Sequence, residues 1–150
     1  MSQSGPDRRM LGVLLRQPLQ ALAAEVNQLM VADGFADLRP AHSAVFMGLG
    51  SESVRISELA ERAGMTKQSM GALVSYLQQH GYVTVTPDPR DGRAKIVRRT
   101  KKALDSEVPA RRNVARVQER WSRLLSRGEM EELMRLLRKL NDRLTDGQAP

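Results

Sequence analysis

The sequence predicts a mainly α fold with a small β-hairpin, an α+β lobe framed by long helices at both ends of the chain. Three observations carry this. Residues 57–81 (SELAERAGMTKQSMGALVSYLQQHG) hold two short apolar repeats at helical spacing, separated by Gly64. Residues 82–99 hold two runs of β-formers around a loop of Pro, Asp, Arg and Gly. Apolar residues then recur every three or four positions over 10–33 and again beyond Thr100.

At 150 residues the chain suits one domain, or one domain with an oligomerising extension. An apolar share of 41% can fill a core, whereas aromatics at 3% are too few for the stacking platforms that read single strands. Lys and Arg number 24 against 17 Asp and Glu, a net charge of +7 that points to nucleic acid or an acidic surface as partner. The absence of cysteine removes disulfides, thiolate nucleophiles and thiol redox sensing together, and it fits a cytoplasmic location. No signal peptide is expected, because Arg16 and Pro18 interrupt the apolar run Leu11–Leu15. No apolar stretch approaches the ~18 residues of a membrane span.

Taken in order, residues 1–9 (MSQSGPDRR) read as a mobile arm, small, polar and broken by Pro6. A helix over Met10–Asp33 follows, with Leu11, Leu15, Leu19, Leu22, Val26, Leu29 and Met30 on one side and Gly34 as its stop. Pro18 should kink this helix or mark where its second part begins. A further helix starts at Pro40, a good first helical residue, and carries Ala44, Val45, Phe46 and Leu49 to Gly50. Val54–Ile56 is a very short extended piece. Ser57 is the expected N-cap of the next helix, which buries Leu59, Ala60 and Ala63 and ends at Gly64.

Thr66 caps the second helix of the pair, in which Met70, Leu73, Val74 and Leu77 form the inner stripe before Gly81. Its opposite face carries Lys67, Gln68, Ser69, Gly71, Ala72, Ser75 and Tyr76. These residues are small or able to hydrogen-bond, and none is acidic. A helix entering a DNA groove needs such a face, because phosphates repel carboxylates. Two helices with a Gly-containing turn is the helix-turn-helix outline, although an ordinary helical hairpin shares it.

The hairpin after Gly81 separates the two readings. Tyr82–Thr86 and Lys95–Val97 are its strands, and its tip carries Arg90 and Arg93. That is the wing of a winged helix, and arginines on such a tip can enter a minor groove. Asp91 is placed to hold the loop by accepting hydrogen bonds. Thr100 then caps a helix reaching Arg127, with Leu104, Val108, Val114, Val117, Trp121, Leu124 and Leu125, and Pro109 should break or bend it. Gly128 separates it from a last helix carrying Met130, Leu133, Met134, Leu136, Leu137, Leu140 and Leu144, and the tail DGQAP frays. The expected organisation is an arm at 1–9, dimerisation helices at 10–35 and 101–146, and a winged lobe at 36–100. The terminal helices are too apolar for linkers, and their expected partner is the same pair in a second subunit.

The stretch ISELAERAGMTKQSMGALVSYLQQHGYV, the wing DPRDGRAK, the long helix after it and the final SRGEMEELMRLLRKL together resemble the MarR family of bacterial regulators (multiple antibiotic resistance regulator type). The resemblance covers nearly the whole chain, and its most specific part is the wing, with Asp91 and Arg93 in D-x-R spacing. It implies a homodimer with interlocked terminal helices, two winged lobes astride a palindromic site, and a small aromatic or lipophilic effector bound where lobes meet the dimer region. Three departures stand out. Ala72 occupies a position where the family usually has Arg. Arg99-Thr100-Lys101-Lys102-Ala103 stands where Leu-Thr-x-x-Gly is usual, adding charge near the DNA-facing side. Val85 replaces a frequent basic residue, for which Arg98 and Arg99 can compensate.

The resulting expectation is a homodimeric transcription regulator, a repressor that leaves its operator when a ligand binds. Thr66, Lys67, Gln68, Ser69, Gly71, Ala72 and Ser75 would face the major groove, with Gln68 the best candidate for a bidentate adenine contact. Arg90, Asp91 and Arg93 would serve the minor groove, and Lys95, Arg98, Lys101 and Lys102 the phosphates. Arg16, His42, Phe46, Met47 and Trp121 are the candidate effector-lining residues, each with core packing as the competing role. No cofactor or metal is expected, since His42 and His80, even joined by Glu25 or Asp33, make a poor zinc set. No Ser/His/Asp set, carboxylate pair or phosphate loop supports catalysis. An architectural nucleoid-type protein, binding DNA with little sequence preference, is the alternative, and a winged protein–protein module is a further one.

Overall fold

The computed structural model describes residues 10–145 and Gly147; the arm expected at 1–9 lies outside the described residues. The chain is mainly helical with one small antiparallel sheet, as its sequence predicts. It falls into two compact units, residues 1–113 and 114–150.

The first unit opens with α1 (Met10–Ala32). Pro18 forfeits one backbone bond, to the Leu14 carbonyl, yet the helix continues through it. At its end the Gly34 N–H bonds to the Val31 carbonyl and the Phe35 N–H to the Met30 carbonyl, a Schellman stop. The predicted Pro40 helix divides into a 3-10 turn (Pro40–His42) and α2 (Ser43–Leu49). The helix pair follows as α3 (Ile56–Arg62) and α4 (Lys67–Gln79). The N-cap of α3 is Arg55, not Ser57, because the extended backbone of β1 (Val54–Arg55) runs straight into the helix and leaves Ser57 inside its first turn. Thr66 caps α4 as expected, its Oγ1 accepting the Ser69 N–H at 3.1 Å.

Gly64 and Gly81 stop these two helices by one device. At φ of 61° and 76° they occupy the left-handed region that a Cβ disfavours. The Met65 and Tyr82 N–H groups then reach back to Ala60 and Leu77. The chain thereby delivers Tyr82 into the core and starts the hairpin at a set angle.

That hairpin is β2 (Val83–Asp88) and β3 (Asp91–Arg99). β3 is central, in the order β1-β3-β2, so Val54, Val97 and Val85 form one cross-strand row. Pro87 sits on the edge strand, where its missing N–H is tolerated. Pairing runs regularly to Pro87 opposite Lys95 and then jumps to Asp88 opposite Asp91, leaving Gly92, Arg93 and Ala94 without a partner across the ladder. The lobe core gathers Val45 and Leu49 of α2, Leu59 and Ala60 of α3, Met70, Val74 and Leu77 of α4, with Tyr82, Val83 and Val97 of the sheet. Met30, Leu38 and Ala103 join it.

α5 (Lys101–Trp121) begins in the first unit and ends in the second. Pro109 lies inside it without breaking it. Contrary to expectation it stops at Trp121 rather than Arg127, where the Leu124 and Leu125 N–H groups both turn back to the Trp121 carbonyl. Gly128 is no separator either, since it sits in the first turn of α6 (Arg127–Thr145). The start is set by a capping box: Glu129 accepts the Ser126 N–H at 2.8 Å and the Ser126 hydroxyl accepts the Glu129 N–H at 3.3 Å. Within this second unit Val117 and Met130 are buried, while Leu133, Leu136, Leu140 and Leu144 stay exposed along α6.

Candidate nucleic-acid interface

The amphipathic pattern of α4 decides which side chains it presents. Met70, Val74 and Leu77 are buried at 0–2% exposure, which turns Thr66, Lys67, Gln68, Ser69, Ala72 and Ser75 outward, all exposed, with Gly71 partly covered. Thr66 and Ser69 are tied to each other through the cap, their hydroxyls 2.8 Å apart. Tyr76 departs from the expected face. It stacks between His42 and His80, with centroids at 4.7 and 4.0 Å, and its hydroxyl donates to the Asp37 carbonyl at 3.0 Å.

The wing tip is built from two aspartates in the same role. Asp91 Oδ1 accepts the Arg93 N–H at 3.1 Å, as its spacing predicts. Asp88, which sequence reasoning passed over, accepts the Arg90 N–H at 2.8 Å and the Arg55 Nε–H at 2.6 Å. The first of these bonds, then the Arg55 guanidinium, hold the Asp88 carboxyl below the usual carboxylate range against the opposing effect of burial. The Asp-x-Arg spacing of residues 88–90 could have flagged the turn. Its tie to Arg55, distant in sequence, could not have been read.

The cations expected to meet DNA sort into two groups. Lys67, Arg90, Arg93, Lys95 and Arg98 form no ion pair among the described residues and are exposed. The others expected nearby are engaged. Lys101 pairs with Asp105 at 2.7 Å. Lys102 donates to Asp37 Oδ2 and the His80 carbonyl, each at 2.9 Å, and lies over the Tyr82 ring. Arg99 turns inward to Glu107 and the Phe46 carbonyl. The surplus charge of the Arg99–Lys102 segment is therefore balanced by Asp105, Asp37 and Glu107 instead of being offered outward, and Arg99 does not compensate for Val85, which packs against the core.

Of the expected effector residues, Arg16, His42, Phe46 and Met47 lie in the first unit and Trp121 in the second. His42 is buried and Phe46 meets the edge of Tyr82 at 6.3 Å, so both are packing residues of the lobe. Met47 is 83% exposed and Arg16 is exposed on α1. Trp121 is half-buried in the second unit. A cavity of about 630 Å³ lies within that unit, lined by Ala115, Gln118, Met130, Met134 and arginines 123, 127 and 138, and by none of the five. Among the described residues no group of three His, Cys, Asp or Glu could hold a metal ion, and no helix is long and apolar enough to cross a membrane.

His42 gives the lobe a pH dependence. Its Nδ1 accepts the Arg39 N–H at 3.0 Å. Burial first, then the charges of Arg39 and His80, hold its pKa below 6.5 against the opposing pull of Asp37. The folded value being the lower one, unfolding takes up a proton as pH falls below the unfolded value. The contribution is complete above about pH 6.5 and is lost as pH drops from there through the folded value. Thermal melts should fall across this window, and His42→Asn should flatten the decline; an equal slope in the variant would assign it to other groups.

Residues 36–94 match the model of the MarR family. The fold is similar to the transcriptional repressor CouR bound to a 23-mer DNA duplex, at 22% identity and a TM-score of 0.72 over 94% of this chain and 99% of that one. It is similar to reduced MarR from E. coli at 20% identity and a TM-score of 0.76, over 87% and 95% of the two chains. It is also similar to PcaV from Streptomyces coelicolor in complex with its natural ligand, at 20% identity and a TM-score of 0.64, over 95% and 98%. No protein of curated function is detectably similar in sequence. Residues 36–94 thus match the MarR family, in a chain whose fold is similar to those of CouR and MarR.

Proposed function

We propose that the chain is a homodimeric, sequence-specific DNA-binding regulator, a repressor released from a pseudo-palindromic operator by a small ligand. The observation that carries this reading is the division of its cations. Of the cations expected to meet DNA, those at the start of α4 and on the wing form no ion pair among the described residues, while those of the α5 start are neutralised. In this reading Lys67, Gln68, Ala72 and Ser75 face base edges, with the capped pair Thr66 and Ser69 and the partly covered Gly71 at the groove wall. Arg90 and Arg93 enter the minor groove on a tip shaped by Asp91, and Lys95 and Arg98 meet phosphates.

Dimerism is supported by two apolar stripes. Leu11, Leu14, Leu15 and Leu19 are exposed on α1 of the first unit, and Leu133, Leu136, Leu140 and Leu144 on α6 of the second. Stripes of this size on a soluble chain mark interaction faces. The similarity to CouR bound to DNA and to PcaV bound to its ligand supports operator binding and ligand release. Control by a ligand needs a coupling of only ~1–3 kcal/mol between the two sites.

Selection of bound duplexes from a random pool, with competition against unselected DNA at several salt concentrations, tests the proposal. Recovery of a two-fold-symmetric site with half-sites about one helical turn apart is expected. A specificity ratio near unity would give way to the architectural reading, and a monomer in sedimentation would remove the dimer. Gln68→Ala should relax preference at one symmetric base pair at a cost of ~1–3 kcal/mol. Equal losses on every site would make Gln68 a backbone contact.

A further inference from the structure

We propose that Arg55 is a positioning residue for the wing, gripping Asp88 from the root of the helix pair and so setting where Arg93 stands relative to the outer face of α4. The proposal rests on the DNA-binding reading above. Arg55 is the residue from which α3 starts, and its backbone pairs with Ile96 of β3. Its Nε–H donates to Asp88 Oδ2 at 2.6 Å, and its Nη2 pairs with the same oxygen. The other oxygen, Oδ1, accepts the Arg90 N–H at 2.8 Å. One carboxylate thus joins the beginning of the helix-turn-helix to the turn of the hairpin.

The location of that carboxylate is what matters. Asp88 is the last β2 residue and lies at the register break, just before the stretch where Gly92, Arg93 and Ala94 have no partner across the ladder. A hairpin end held by a single closing pair is free to swing. The Asp88 side chain is only 6% exposed, whereas Arg55 is 40% exposed. An ion pair with one partner this open contributes little to stability. It can still fix a direction, because a guanidinium offers a planar fork and not a point charge. The expected signature is therefore a change in DNA binding with little change in melting.

The test uses the full-length protein with Arg55→Gln, Asp88→Asn, Arg93→Ala and their combinations. Asparagine at 88 keeps an oxygen for the Arg90 N–H and presents a donor to Arg55, so it removes the grip and spares the turn. In the free protein, ¹⁵N relaxation should report greater ps–ns mobility of the Arg90–Arg93 amides in both single variants. On a duplex selected by the wild type, each should bind about fivefold to tenfold more weakly, and the double variant Arg55→Gln/Asp88→Asn no more weakly than either. Arg93→Ala should cost much less in the Arg55→Gln background than in the wild type. Equal cost in both backgrounds, or unchanged amide mobility, overturns the proposal. So does weaker binding that comes only with a large fall in melting temperature. If the wild type binds no duplex, the DNA reading fails, and the relaxation measurement alone still decides whether Arg55 holds the wing.

Discussion

Arg93→Ala should weaken DNA binding by about a hundredfold and leave the proposed dimer intact. The side chain springs from the unpaired stretch of β3, is exposed, and has no carboxylate partner among the described residues. Nothing among the described residues competes for its charge. An arginine in a narrow minor groove meets concentrated negative potential. At ~1.4 kcal/mol per contact, tenfold each, the two wings of the proposed dimer give the hundredfold. The slope of log affinity against log salt should shrink by about two, one contact per wing. Fluorescence titration at several salt concentrations measures both. Unchanged affinity would mean that the wing does not touch DNA.

Leu77→Ala should destabilise the lobe by ~2–5 kcal/mol, the cost of an emptied leucine site in a packed core. Leu77 is fully buried on the inner face of α4, and its carbonyl also takes the Tyr82 N–H at 2.8 Å. The melting temperature should drop by roughly 10 °C or more. Ser75→Ala, two residues earlier on the exposed face, should stay within about 0.5 kcal/mol. Thermal and urea unfolding of both variants measures the contrast. Equal shifts would mean that α4 is oriented differently.

Much of this fold was legible because local chemistry decides it. The Thr66 cap, the Gly64 and Gly81 stops and the alternating valines of the hairpin act within a few residues of themselves. Errors arose where local signals compete. Ser57 is as good a cap by type as Thr66, but strand β1 had already set the backbone that starts α3. Pro109 and Gly128 punctuate sequences reliably only when nothing else stabilises the helix. The Ser126–Glu129 capping box, present in the sequence, was the signal to weigh against Gly128.

The candidate interface was half legible for a different reason. Outward residues of α4 follow from periodicity, and the Asp91 turn from spacing. Whether a cation is free follows from long-range pairing that no local pattern encodes. Lys102 meets Asp37, far away in sequence, and Arg99 reaches the Phe46 carbonyl. By charge alone Lys102 and Lys95 are indistinguishable.

The Asp37 contacts belong with a second set further along α5. Arg112 and Asn113 donate to the Asp33 carboxylate at 2.8 and 2.7 Å, while Lys102 and Tyr82 donate to that of Asp37 at 2.9 and 2.6 Å. Ten residues of helix separate Lys102 from Arg112, about 15 Å. A rod pinned at one point can pivot; pinned twice at that spacing it cannot. The end of α1, the first half of α5 and the root of the hairpin are therefore held together as one rigid piece of the first unit.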